Sequence, residues 1–295
     1  MNPFSSVAAL EDARPLDRLV DPVRRASRSV LGSAGLRDAL HGVWLGHPLH
    51  PMLVQVPVGA FVSAGVLDLV RGSERSADLL IATGVASALP SAAAGLADWS
   101  EMHEQQQRVG IVHAGVNLLA LTAYGASLLA RGRGNRPVGK ALGLLGLGLI
   151  GTGGYLGGHL AYRQAAGANH AEEVPHLVGR GWHDLCAVDD LAADGEPRLR
   201  VLGSGSTAVP LVVVRRGDRI DVLSDRCSHL AGPLHEGAVD RVGGCITCPW
   251  HGSTFSLDDG AVRQGPATSP VHAFDVRVEG GRLLVRLPGA TGSRG

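Results

Sequence analysis

The chain has 295 residues, of which 45% are apolar and only 18% charged, with 42 glycines and a formal net charge of zero. A neutral balance offers no basic surface for a nucleic-acid partner. The apolar, glycine-rich composition points instead toward a membrane, and the few charges are unevenly placed along the chain.

Residues 1–40 read as a soluble arm. Arg, Asp and Leu mix over 12–19 and 22–40. A solvated charge run is preferred there over short amphipathic helices lying on a membrane surface. No apolar run follows Arg24-Arg25 promptly, so that pair is a poor twin-arginine signal.

Residues 41–165 contain four stretches nearly free of charge: 52–67, 79–97, 109–130 and 141–162. Each is near the ~20 residues that cross a bilayer as a helix. We place spans at about 52–70, 78–98, 109–130 and 140–162. The first is short and holds Gln55 and Pro57. Four such runs with short loops argue against buried helices of a soluble bundle. Small residues are dense in them, including Ala92, Ala93, Ala94 and Gly95 in the second and Gly143, Gly146 and Gly153 in the fourth. Small side chains let helices approach closely where lipid supplies no hydrophobic drive, so an all-α transmembrane four-helix bundle is expected. The chain is then an integral, multi-pass membrane protein, in the plasma membrane if the source is bacterial.

With four spans both termini lie on one side. The loops at 71–76 and 131–140, on the other side, carry Arg71, Arg75, Arg131, Arg133, Arg136 and Lys140. The positive-inside rule puts those loops in the cytoplasm and the C-terminal half outside. Arg24, Arg25, Arg28 and Arg37 of the arm pull the opposite way, and the side stays undecided.

Histidines gather toward the end of the bundle that carries the C-terminal half. His113 lies about four residues into the third span, and His159 about three residues before the end of the fourth. At ~1.5 Å per residue the two sit at matched depth. With His50 at the head of the first span, they suit a b-type haem, a metal or a quinone pocket. The plainer reading is a polar cluster of His113 with Asn117 one turn on. His47 and His50 flank prolines and also read as a turn that fixes helix entry.

Residues 166–178 read as a linker, and 179–288 as a small all-β antiparallel domain. Residues 210–215 and 220–223 flank a Gly217-Asp218 turn, and 274–279 and 282–287 flank Gly280-Gly281; both read as hairpins. Residues 238–239 and 245–247 supply further short strands. Between these elements lie Cys227-Ser228-His229 and, after eighteen residues, Cys248-Pro249-Trp250-His251. Two thiolates and two imidazoles are the ligand set of a 2Fe–2S cluster in which one iron takes sulfur and the other nitrogen. Zinc also accepts two Cys and two His, but zinc fingers place Cys with Cys and His with His rather than interleaving them. A disulfide would leave both histidines unexplained. Cys186 and Cys245 read as small buried hydrophobes.

The segments Cys227-Ser-His-Leu-Ala-Gly-Pro-Leu234 and Cys248-Pro-Trp-His-Gly-Ser-Thr-Phe255 resemble the two ligand loops of the Rieske family. Gly265-Pro-Ala-Thr-Ser-Pro270 resembles the proline loop that covers the cluster in that family. The resemblance covers about residues 176–288. It implies a Rieske 2Fe–2S cluster with Cys227 and Cys248 on one iron and His229 and His251 on the other. It also implies shielding by Pro266 and Pro270 and tuning by Ser253. Gly232 and Trp250 stand near the positions where quinol-oxidising members carry an extra disulfide, and Phe255 stands where they carry a Tyr, so the ferredoxin-type branch is implied. The fragment His47-Pro-Leu-His-Pro51, with Pro57-Val-Gly59, Asp68, His113 and Gly157-Gly-His159, resembles a membrane family of unknown function that often occurs with redox domains.

The expected activity is single-electron transfer between a membrane redox donor and a partner protein, with no catalytic residue and no small-molecule substrate evident. One alternative is a membrane oxidoreductase whose bundle binds haem or quinone, with the Rieske centre as relay. Another is a cluster-based redox sensor. An oxygenase would add a mononuclear iron held by two His and a carboxylate, and no such triad is read here. The run from Gly151 to Gly157 is glycine-rich but has no βαβ context for a nucleotide.

Overall fold

The computed structural model describes residues 3–288. They form two units. One comprises residues up to Leu36 together with Pro48–Gly167, the other Arg37–His47 together with Ala168 onward.

In the helical unit, α1 (Pro3–Glu11) and α2 (Asp17–Val30) precede α3 (Ala34–His41), whose second half belongs to the other unit. Then follow α4 (His50–Leu53), α5 (Gln55–Leu67), α6 (Glu74–Ser100), α7 (Glu104–Gly132) and α8 (Arg136–Gly158), which ends in a π turn at His159–Arg163. Among the described residues four stretches are long and apolar enough to cross a membrane: His50–Leu67, Glu74–Ser100, Glu104–Gly132 and Arg136–Arg163. The first has a joint at Val54 between α4 and α5, and Pro57 falls in the first turn of α5, where its missing N–H costs no helical bond.

The helices run further than the uncharged stretches. α7 starts at Glu104 rather than near 109, because His103 and Gln106 cap it and Gln107 and Trp99 exchange bonds with each other's backbone. Its far end takes in Arg131, which the sequence places in a loop.

The arm also differs from the solvated run expected. Val7 and Leu10 of α1 pack with Val109, Leu156 and Leu160. The Arg108 guanidinium grips the Asp17 carboxylate at 2.7 and 2.9 Å and donates to the Glu11 carbonyl. The hydrogen bond from Arg108 holds the Asp17 carboxyl below the usual carboxylate range. A charge-rich composition does not distinguish a solvated strand from helices whose charges meet partners on a bundle.

Glycine sets the approach of α8 to α7. Gly139, Gly143, Gly146, Gly153 and Gly157 follow alternating steps of four and three, with Ile150 filling the one gap. This is the 3.5-residue period of a left-handed helix pair. A Cβ at these positions would run into Arg131, Tyr124, Asn117 and His113 of α7; at Gly146 it would stand 2.8 Å from the Tyr124 ring. The small residues are therefore sockets for particular large ones.

The end of the bundle holding Arg131 carries a buried ion network. Arg131, with its side chain 1% exposed, makes a two-pronged pair with Asp68, the C-cap of α5, and reaches Asp78 of α6 at 3.2 Å. Asp78 also pairs with Arg136 of α8 at 2.7 Å, and Lys140 donates to the Asp68 carbonyl. Four helices are joined through these charges.

The second unit is antiparallel throughout. After α9 (Val174–Leu177), β1 (His183–Ala187), β2 (Asp194–Leu202), β3 (Val209–Arg216), β4 (Arg219–Ser224), β5 (Ala238–Asp240), β6 (Cys245–Thr247), β7 (Thr254–Ser256), β8 (Val262–Gln264), β9 (Asp275–Glu279) and β10 (Arg282–Arg286) form sheets ordered β1-β10-β9, β2-β3-β4 and β5-β6-β7-β8. Both expected hairpins are present. Arg216 pairs Arg219 across Gly217-Asp218, and Glu279 pairs Arg282 across Gly280-Gly281, where both glycines have positive φ as a tight hairpin turn requires.

Strand β3 organises the core. Its apolar run is buried on both faces, the signature of an interior strand. Leu211 and Val213 face one cluster, with Ile220, Val222, Phe274, Leu283 and Val285. Val212 and Val214 face another, with Leu234, Ile246, Phe255, Cys227 and Cys248.

Residues 37–47 join this unit from far upstream. The Gly265 N–H donates to the Asp38 carboxylate at 2.9 Å, and a Cβ on Gly265 would stand 3.0 Å from Val43.

Two outcomes follow. Asp68→Ala leaves the buried Arg131 short of its main partner and costs ~3–5 kcal/mol, whereas Asp68→Leu with Arg131→Leu costs much less; denaturant unfolding in mixed micelles compares them. Asp38→Ala removes the acceptor of the Gly265 amide, a loss of ~1–3 kcal/mol. Hydrogen exchange at the Gly265 and Ala267 amides then accelerates roughly tenfold or more while β3 keeps its protection.

Candidate metal centre

The two ligand loops leave the ends of β4 and β6. Each is closed at its base by the backbone of its cysteine. The Cys227 N–H donates to the Gly232 carbonyl at 2.9 Å and the Ala231 N–H to the Cys227 carbonyl; the Cys248 N–H donates to the Ser253 carbonyl at 2.8 Å and the Gly252 N–H to the Cys248 carbonyl. These bonds hold the cysteines down in the second core and lift the histidines two and three residues on. Cys227 and Cys248 are 1% and 3% exposed, whereas His229 and His251 are half-buried. The two imidazoles face each other edge to face, with centroids 5.0 Å apart and planes at 85°.

The thiols are hydrogen-bond neighbours. The bond from Cys227 draws Cys248 down to about 6, helped by the N–H groups of Trp250 and His251. The same bond and burial push Cys227 up, against the His229 N–H and the Ser253 side chain, which favour its thiolate. Donors therefore point at both sulfurs, which is what a cluster's thiolate ligands need. Gly232 supplies room: a Cβ there would stand 2.8 Å from the Cys248 sulfur and 3.1 Å from the Trp250 ring. Two sulfurs below and two imidazoles above divide as a two-iron cluster with mixed ligands requires. The residues present fit that group.

The remaining sequence-selected residues fall around this centre. Ser253 is fully buried and its Oγ accepts the Ala267 N–H at 2.9 Å, tying the second ligand loop to the proline loop. Pro266 is buried in that loop, while Pro270 is exposed at its far end. Phe255 pairs with Ile246 across β6 and β7 and lies in the core, so it is a packing residue. Cys186 lies in the first core, where burial pushes its thiol up; Cys245 is half-buried, with its thiol against the Gly243 carbonyl.

Three contributors were not singled out from sequence. Ser228, between two candidate ligands, donates to the Ser269 carbonyl at 2.6 Å and ties the first loop to the proline loop. Asp225, 4% exposed, accepts the His235 N–H at 2.7 Å and faces His235 Nδ1 at the same distance, anchoring the exit of the first loop. Asp38 reaches Gly265 across 227 residues of sequence. Only Ser228 lay inside a motif; the others had no local signal.

The membrane histidines are not brought together as the sequence pairs them. His113 donates from Nδ1 to the Gly153 carbonyl at 2.9 Å, and its ring lies 6.4 Å from that of His50. His159 Nε2 is 2.7 Å from the Glu11 carboxylate. Gly153 and Gly157 face α7, and a residue two places further turns by ~200° on a helix. Matched depth therefore did not mean a shared face.

Comparison with known proteins agrees with this geometry. Residues 181–275 match the model of the Rieske [2Fe-2S] domain, and residues 46–170 match the family described as "Predicted membrane protein (DUF2231)". The chain is 36% identical over 106 residues to the anthranilate 1,2-dioxygenase ferredoxin subunit of Burkholderia cepacia, covering 36% of this chain and 92% of that protein. It is 35% identical over 104 residues to ferredoxin CarAc of Metapseudomonas resinovorans, covering 35% and 92%. It is 31% identical over 102 residues to human apoptosis-inducing factor 3, covering 35% of this chain but 16% of that protein. The helical unit thus resembles predicted membrane proteins, and through its C-terminal domain the chain belongs to the Rieske [2Fe–2S] family.

Proposed function

We propose that this is a membrane-anchored Rieske electron carrier, passing single electrons between a membrane redox donor and a partner protein. The observation that carries the reading is the division of the site into two buried sulfurs and two half-buried, facing imidazoles. Cys227 and Cys248 hold one iron, and His229 and His251 the other. When bound, the cluster supplies one-electron exchange, with imidazole in place of thiolate raising its potential relative to an all-cysteine centre. The protein supplies the rest. N–H groups and the Ser253 side chain stabilise charge at sulfur, the proline loop with Pro266 excludes water, and the half-buried histidines present the edge that meets a partner.

The matched relatives include ferredoxin subunits of dioxygenases, which favours a protein partner of the oxygenase or reductase type. The helical unit crosses the membrane four times and keeps the carrier at the bilayer, the plasma membrane in a bacterium.

Visible and EPR spectra of the detergent-purified protein, air-oxidised and then dithionite-reduced, test the reading. Broad iron–sulfur absorption that bleaches on reduction is expected. A colourless protein after reconstitution overturns it. Cys227→Ser is expected to abolish the signal and electron flux to the partner; unchanged flux would favour a sensing role. Ser253→Ala removes a donor whose bond strengthens as charge accumulates at sulfur. The midpoint potential is expected to fall by ~40 mV, about 1 kcal/mol for a one-electron couple, as read by voltammetry.

A further inference from the structure

Two imidazoles of the helical unit are unused by the iron–sulfur site. His50 opens α4 and His113 lies on α7. His50 Nδ1 is 2.8 Å from the Ser91 carbonyl of α6, and His113 Nδ1 is 2.9 Å from the Gly153 carbonyl of α8. A carbonyl only accepts, so each ring carries its proton on Nδ1 and leaves Nε2 as its accepting nitrogen. Backbone carbonyls that fix the tautomer and orientation in this way are the usual support of a metal-binding histidine.

The separation is informative. The ring centroids lie 6.4 Å apart with planes at 81°. An imidazole bound through nitrogen at ~2 Å puts its centroid about 3.2 Å from the metal. Two on opposite sides of one metal are then about 6.3 Å apart, and two at a tetrahedral angle about 5 Å. The observed spacing fits opposite sides. Asn117 Nδ2 lies 3.3 and 3.5 Å from the two nitrogens of His113 and donates to its carbonyl at 2.8 Å, holding the residue from below. Glycine makes the space, since a Cβ on Gly95 would stand 2.8 Å from His50 Nδ1 and one on Gly157 3.3 Å from His113 Cε1. Ser91, whose carbonyl holds His50, also carries a buried hydroxyl with no hydrogen-bond partner among the described residues.

Among the described residues no third His, Cys, Asp or Glu completes a protein-only site. A metal held here must bring its other ligands with it. We propose that His50 and His113 are the two axial ligands of a haem iron, the porphyrin supplying the four equatorial nitrogens. His159 takes no part, because its Nε2 is engaged by Glu11. This second centre stands independently of the iron–sulfur assignment.

The test uses full-length protein purified in detergent from cells supplied with a haem precursor. Haem is quantified by pyridine haemochrome and copper by mass spectrometry. About one haem per chain, with sharp reduced bands of a six-coordinate low-spin centre, is expected in the parent, in Cys227→Ser and in His159→Ala. His50→Ala and His113→Ala are expected to lose it tenfold or more while keeping the iron–sulfur EPR signal, which reports folding. Should those variants fail to fold, His113→Met, which retains a ligating side chain, is expected to shift the haem bands. Absence of haem from the parent overturns the proposal. So does stoichiometric copper without haem, haem retained in both alanine variants, or an unshifted spectrum in His113→Met.

Discussion

Two buried sulfurs within hydrogen-bonding reach of each other impose the central constraint. Both cannot carry charge in an apolar core unless something positive lies between them. Each sulfur perturbs the other, and Cys248 is drawn down while Cys227 is pushed up. Much of the second unit serves this arrangement. Strand β3 builds the core that buries the sulfurs, the loop-closing bonds fix their backbones, and N–H groups reach them from the chain just beyond. The histidines follow as a geometric consequence: a loop pinned at its cysteine exposes what comes two or three residues later.

What could be read in the sequence was whatever is local. The ligand loops are short segments whose residue types and spacing state their chemistry. The hairpins announce themselves through Gly217 and through Gly280-Gly281, because few residues adopt those turns. The long apolar helices declare themselves by runs free of charge. Less legible were β1, β2, β7 and β8, which are short, polar or at sheet edges; β2 even contains Pro197. Depth along a helix could be counted, but facing could not. Hence His113 was matched with His159, when His50 is its neighbour. The arm is opaque for a related reason. Asp17 and Glu11 find their cationic and imidazole partners some ninety and more residues away, and no local pattern encodes that.

The helical unit combines two devices that answer the same difficulty. Lipid offers helices no hydrophobic reason to associate, so association must come from packing and polar contacts. The glycine seam of α8 supplies the first, with each socket matched to one side chain of α7. The Arg131 network supplies the second, concentrating charge where four helix ends meet. It also explains why a count of basic residues is a blunt guide here. Arg131 and Arg136 are ion-paired within the bundle and are not free loop charges.

The short stretch 37–47 changes how the two units should be thought of. The chain leaves the helical unit after Leu36, contributes Asp38 and Val43 beside the proline loop, and returns at Pro48 before the first span. It leaves again only after Gly167. The covalent path thus passes between the units three times. A fragment starting at residue 168 would therefore lack Asp38 and Val43, which lie against Gly265 of the proline loop. It would not hold all of the iron–sulfur unit, since the strap beside its proline loop is written 227 residues earlier, ahead of the first span.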